Sequence, residues 1–188
     1  MGTGFSALLT VIALLLAGCS GDEEEPAPAP GSAVSSPDVR VVTESAIGRV
    51  RGRLDPARRA EVVRGVTAVV DGWSDRGYGG DYPRTSFDGA FAAFTPDARA
   101  LARRRTSLLS NAAIGGDLEA VTIARRVVQV DVLAPKGRLA GATARIRIVL
   151  ELEGATDRRE IVSGRLLLTP SAEGWRVFGF DVSRGRES

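Results

Sequence analysis

The chain has 188 residues, 44% of them hydrophobic and 26% charged, the composition of one globular domain with room for appendages. It contains no histidine and a single cysteine, Cys19, so a His/Cys zinc site, a Cys-His pair, a Ser-His-Asp triad and an intramolecular disulfide are all excluded. The formal net charge is +2, but Asp22 to Glu25 place four acids ahead of the first base, so the remainder holds 19 acids against 25 bases, or +6.

The first 21 residues carry no charged side chain, and Ala7 to Ala17 form an apolar core of 11 residues. That length suits the central region of a secretory signal peptide and falls short of the roughly 20 residues a spanning helix needs. Leu16-Ala17-Gly18-Cys19, which closes the run, resembles the lipobox of bacterial lipoproteins. The resemblance implies that residues 1–18 are removed and that Cys19 becomes a lipidated N-terminus, holding the protein at the outer face of the cytoplasmic membrane. No Lys or Arg precedes the apolar core, a departure from the usual pattern. An uncleaved N-terminal anchor is the alternative, and it too exports the domain. Residues 20–37, rich in acid, proline and serine, cannot bury enough surface to offset the entropy of ordering and read as a disordered tether. Extended at about 3.1 Å per residue, it reaches roughly 55 Å.

Residues 38–188 read as the exported domain. A polar and apolar mixture from Asp38 to Arg53 predicts one short strand or an extended arm. Asp55 and Pro56 then open a helix on which Val62, Val63, Val66, Val69, Val70 and Trp73 share a face. Ser86 is placed to start a short helix presenting Phe87, Phe91 and Phe94, and Thr95-Pro96-Asp97 another whose apolar side includes Leu101, Leu108 and Leu109. After a break at 111–117 the hydrophobic period switches to 2, predicting four long antiparallel strands in a meander around Val128–Val132, Ala142–Leu152, Val162–Leu168 and Phe178–Val182. Trp175 and Val177 lie on the opposite parity from Phe178 and Phe180, which predicts a bulge there or burial of both faces.

Two or three helices followed by a curved, mainly four-stranded antiparallel sheet make an α+β domain. This order, with the closing stretch Gly174 to Val182, resembles the cone-shaped nuclear transport factor 2-like fold; a cystatin-like sheet around one helix is the competitor. The resemblance implies a pocket between sheet and helices in a family that mixes enzymes with proteins that only bind. Trp73, Tyr78, Tyr82, Phe87, Phe91 and Phe94, six of the nine aromatic residues after the signal segment, fall where that pocket would be lined. They either line an apolar ligand cavity or fill the core. A cavity above about 300 Å³ between them would favour a ligand, whereas a filled core with an exposed apolar patch on the sheet would favour a protein interaction module.

No position matches a catalytic motif, so catalytic, metal-ligating and cofactor-binding residues are not expected. Asp88 or Asp131 paired with Tyr78 or Tyr82 is the nearest approach to an isomerase-like arrangement. Arginine clusters, including Arg49, Arg51 and Arg53, either attract anionic phospholipid or wall polymer or make up a solvated face. Arg176 to Phe180 only faintly echoes the aromatic strand of RNA-binding sheets, and nucleic acid is not expected as a partner. The expectation is a membrane-tethered lipoprotein, non-catalytic, binding a partner protein or an apolar or lipid ligand, or else serving as an accessory subunit of a membrane complex.

Overall fold

The computed structural model describes residues 41–187; the expected signal segment (1–18), Cys19 and the tether (20–37) lie outside the described residues. Helix α1 (Pro56–Gly77) forms where the valine spacing predicts it. Asp55 caps it by accepting a 2.9 Å hydrogen bond from the Arg58 N–H, Pro56 opens the first turn, and Val62, Val66, Val70 and Trp73 bury along one stripe. Each of those side chains contributes roughly 1.5–3 kcal/mol relative to exposure, so packing on the sheet holds the helix. Gly77 ends it where the chain passes close to Leu109: a Cβ there would sit 2.9 Å from the Leu109 carbonyl oxygen.

The predicted meander is present as β2 (Leu118–Ala134), β3 (Gly141–Gly154), β4 (Arg158–Ser171) and β5 (Gly174–Arg186). A further strand, β1 (Glu44–Gly52), pairs parallel with β2, so the sheet is five-stranded and mixed, in the order β1-β2-β3-β4-β5. Most side chains of β1 are exposed. With little to bury, the strand leaves only a weak alternation in the sequence. Val128, Val130, Val132, Ala144, Ile148, Leu150, Val162, Leu166 and Leu168 project from the inner face into one core with α1. Among the described residues, every strand pairing and the hydrophobic core belong to the compact unit Val39–Ser188, which therefore holds what it needs to fold alone.

Two of the register shifts in the sheet set which side chains face inward near its centre and at its last strand. In β2 the register shifts between Ile123 and Arg125, so Ala124 is the extra residue and Arg126 turns into the core, where it is 2% exposed. Its guanidinium pairs with Asp71 at 2.7 Å and with Asp75, both on α1, while Thr43 donates to Asp71 at 2.6 Å; its Nε has no partner among the described residues. In β5 the shift opposite Leu167 and Leu168 leaves Phe178 as the extra residue, as the parity conflict predicted. Val177 is fully buried and Phe178 is exposed. At Gly164 in β4, φ is +138° and a Cβ would meet the Asp181 carbonyl oxygen at 2.1 Å, so the neighbouring strand is close enough that only glycine fits.

The second half of the helical region departs from expectation. Phe87 to Phe94 form no helix but a run of turns, closed by i→i+3 bonds such as Phe94 N–H to the Phe91 carbonyl at 3.0 Å. Gly89 adopts φ +82°, and Phe94 is drawn into a bridge with Val177 of β5, whose carbonyl accepts from Thr95 N–H at 2.8 Å. Sheet pairing overrides the local helical spacing there. The single helix expected after Thr95 is broken into α2 (Pro96–Arg103) and α3 (Thr106–Leu109). Ala98, Ala102 and Leu109 make the buried side, and Leu101 faces solvent.

Candidate functional site

Most of the six aromatic side chains pack in the core. Trp73, Tyr78 and Phe94 are completely buried and Phe91 is 9% exposed, with edge-on ring pairs Trp73–Tyr78 at 5.7 Å and Phe91–Phe94 at 5.3 Å. Their polar atoms are engaged by the protein. Trp73 Nε1–H donates to the Leu109 carbonyl at 3.0 Å and the Tyr78 hydroxyl to the Leu108 carbonyl at 2.6 Å, so both bind the segment carrying α3 to α1.

Tyr82, which is half-buried, continues this arrangement into a chain of polar contacts. Its hydroxyl donates to the Tyr78 carbonyl at 2.6 Å and accepts from Asn111 Nδ2 at 2.8 Å. Asn111 Oδ1 accepts from Arg184 of β5 at 2.7 Å, and Arg184 Nε donates to Glu160 of β4 at 2.5 Å. Arg158 donates to the other Glu160 oxygen at 2.6 Å. Burial pushes the Glu160 carboxyl up, but hydrogen bonds from Arg158 and Arg184 outweigh it and hold the group below the usual carboxylate range. Burial raises Tyr78, against the opposing charge of Arg184; burial likewise raises Tyr82, against Asn111, Arg84 and Arg184. An ionised carboxylate and two protonated phenols thus lock the sheet to the helical side. Sequence reasoning missed Glu160, Arg184 and Asn111, since each reads as an ordinary surface residue until the strands are placed.

The carboxylates considered beside the tyrosines are elsewhere. Asp131 lies on the outer face of the sheet, accepting from Arg49 N–H and Arg145 Nε, both at 2.8 Å. Burial raises its carboxyl, and these contacts more than reverse the effect. Asp88 is exposed and accepts from the Ser86 hydroxyl at 3.1 Å. Neither is brought to Tyr78 or Tyr82.

Two of the six rings do face an open site. Phe87 and Phe91 line a cleft of about 750 Å³ together with Thr85, Asp88, Thr106, Ser110, Arg99, Arg103 and Arg176. Its apolar part comes from the 87–92 turns. The turns are fixed from behind: Arg99 donates to the carbonyls of Phe91 at 3.1 Å and Ala92 at 3.0 Å, Arg176 to Ala92 at 2.9 Å, and the Arg84 guanidinium lies 4.2 Å from the Phe87 ring centre. Arg176 is paired with Glu173, and Arg99 and Arg103 against Asp88 leave the rim positive. Arg103 has no carboxylate partner among the described residues. A half-apolar cleft with convergent cations can hold an amphiphile by its tail and its anionic group.

Among the described residues no helix is long and apolar enough to cross a membrane, and no three His, Cys, Asp or Glu side chains gather to hold a metal ion. Comparisons with known proteins return nothing: no family model, no curated protein and no solved structure matches the chain.

Proposed function

We propose that the chain is a bacterial lipoprotein, tethered through a lipid on Cys19 at the outer face of the cytoplasmic membrane. Its nuclear transport factor 2-like domain binds an amphiphilic, anionic ligand without transforming it. The tether rests on the Leu16-Ala17-Gly18-Cys19 stretch after a short apolar core, and the fold reading is supported by helices covering one face of a bulged antiparallel meander. The cleft between Phe87, Phe91 and Arg103 carries the ligand reading. Titrating the unit Val39–Ser188 with oleate below its micelle concentration tests it. Saturable binding is expected, weakened at least about tenfold by Arg103→Glu, with the neutral monoglyceride of the same chain binding worse. Equal affinity for both ligands, or none for either, overturns it. For the anchor, Cys19→Ala is expected to leave an unprocessed chain; unchanged mass and membrane retention overturn the lipoprotein reading.

A second reading, an accessory subunit of a membrane complex with no small-molecule site, is favoured by the packing of Trp73, Tyr78 and Phe94 in the core and by the exposure of Leu133 and Phe178 on the sheet. Native mass spectrometry of the protein taken from its own membrane separates the two. A co-purifying lipid supports the first, a protein subunit the second.

A further inference from the structure

The outer face of the sheet carries arginine along much of its length, and most of it is matched. Arg125 pairs with Glu44 at 2.9 Å, Arg145 with Asp131 at 2.8 Å, Arg165 with Asp181 at 2.9 Å and Arg159 with Glu187 at 3.1 Å. One end differs. Gly52 of β1 pairs with Ala134 of β2, which sets Arg49, Arg51 and Arg53 beside the β2–β3 turn with its Lys136 and Arg138. All five side chains are exposed, and among the described residues none has a carboxylate at ion-pair distance.

The same end holds the largest apolar side chains that the sheet leaves to solvent. Leu133 is 49% and Phe178 52% exposed, and with Arg49, Arg51 and the Arg145–Asp131 pair they line a groove of about 390 Å³. Leu133 stands opposite Gly141, which has no side chain to cover it, and Phe178 stands out because it is the extra residue of the β5 bulge.

We propose that this end of the sheet docks on an anionic phospholipid bilayer, with Leu133 and Phe178 entering the boundary between headgroups and acyl chains and the five cations lying at the level of the phosphates. Apolar side chains flanked by unmatched Arg and Lys are what such an interface takes: the rings and methyl groups leave water while the long basic side chains stay hydrated. A protein partner would have to desolvate the same five cations and supply carboxylates for them. The surface is separate from the Phe87–Phe91 cleft and does not require a lipid on Cys19, so it stands or falls independently of that reading.

Sedimentation of the unit Val39–Ser188 with vesicles of phosphatidylcholine, with and without phosphatidylglycerol, tests the assignment. Binding is expected only with phosphatidylglycerol and is expected to weaken as salt rises. Arg51→Glu with Arg53→Glu and Arg138→Glu should lower partitioning about 100-fold, and Leu133→Ser with Phe178→Ser about tenfold. A charge-matched control, Arg64→Glu with Arg104→Glu and Arg105→Glu, should stay within about threefold of the parent, and circular dichroism verifies that every variant folds. Equal binding to both vesicle types, an equal loss in the control, or no effect of removing Leu133 and Phe178 overturns the proposal. So does a protein subunit from the native membrane that protects Phe178 from carbene footprinting.

Discussion

Arg126 and Arg51 lie on adjacent strands and do unlike work. Arg126 is carried into the core by a bulge and finds two aspartates of α1, whereas Arg51 stands exposed at the end of β1 with no carboxylate at ion-pair distance among the described residues. Arg184 belongs with the first kind and Arg53 and Arg138 with the second. A guanidinium is weakly hydrated, always charged and presents several donors in a plane, so it serves as a buried strut where acceptors converge and as a field source where they do not. Placement by the backbone decides between the two uses, and arginine content says nothing about it.

Substitutions measure that contrast. Arg126→Ala should cost about 2–3 kcal/mol, at or below the range for breaking buried pairs because Asp71 and Asp75 keep partial access to water; the midpoint of urea unfolding reports it. Arg184→Ala removes donors from Glu160, Asn111 and the Ser110 carbonyl and should cost about 2 kcal/mol in the same assay. The Glu160 carboxyl is held below its ordinary value in the folded state, so its contribution is complete at neutral pH and is lost as pH falls below about 4.5 through its folded value. Thermal melts from pH 7 to acid should show this decline, and Glu160→Gln should make it shallower without abolishing it, because Asp131 and Glu44 shift in the same direction. Arg51→Glu with Arg53→Glu and Arg138→Glu should change unfolding stability by no more than about 0.5 kcal/mol, although the same triple weakens vesicle binding about 100-fold. A loss comparable to that of Arg126→Ala would erase the distinction.

The parts of the fold legible in the sequence are those where burial imposes a period. The valine stripe of α1 and the alternation from Ala142 to Leu152 both form as read, and the parity conflict at Val177 and Phe178 locates a real bulge. What stayed hidden depends on partners distant in sequence. The Phe87–Phe94 spacing suits a helix, but pairing with Val177 lies more than eighty residues away. Ala124 leaves no local mark as an extra residue of β2, so nothing in the sequence shows Arg126 turning inward. Of the six candidate pocket residues, Phe87 and Phe91 line an open cleft, while Trp73, Tyr78 and Phe94 serve packing. Aromatic density reports where large side chains are needed and leaves open whether they meet a ligand or one another.

β1 has one more consequence. It is an edge strand, and an edge ordinarily offers a template on which a second copy of the chain could extend the sheet. Its register shifts between Ile47 and Val50, Asp131 takes the Arg49 N–H with a side-chain oxygen, and Arg49 and Arg51 add charge along its length. An interrupted, charged edge is a poor template for a further strand, so the residues that carry the surface charge also guard the edge.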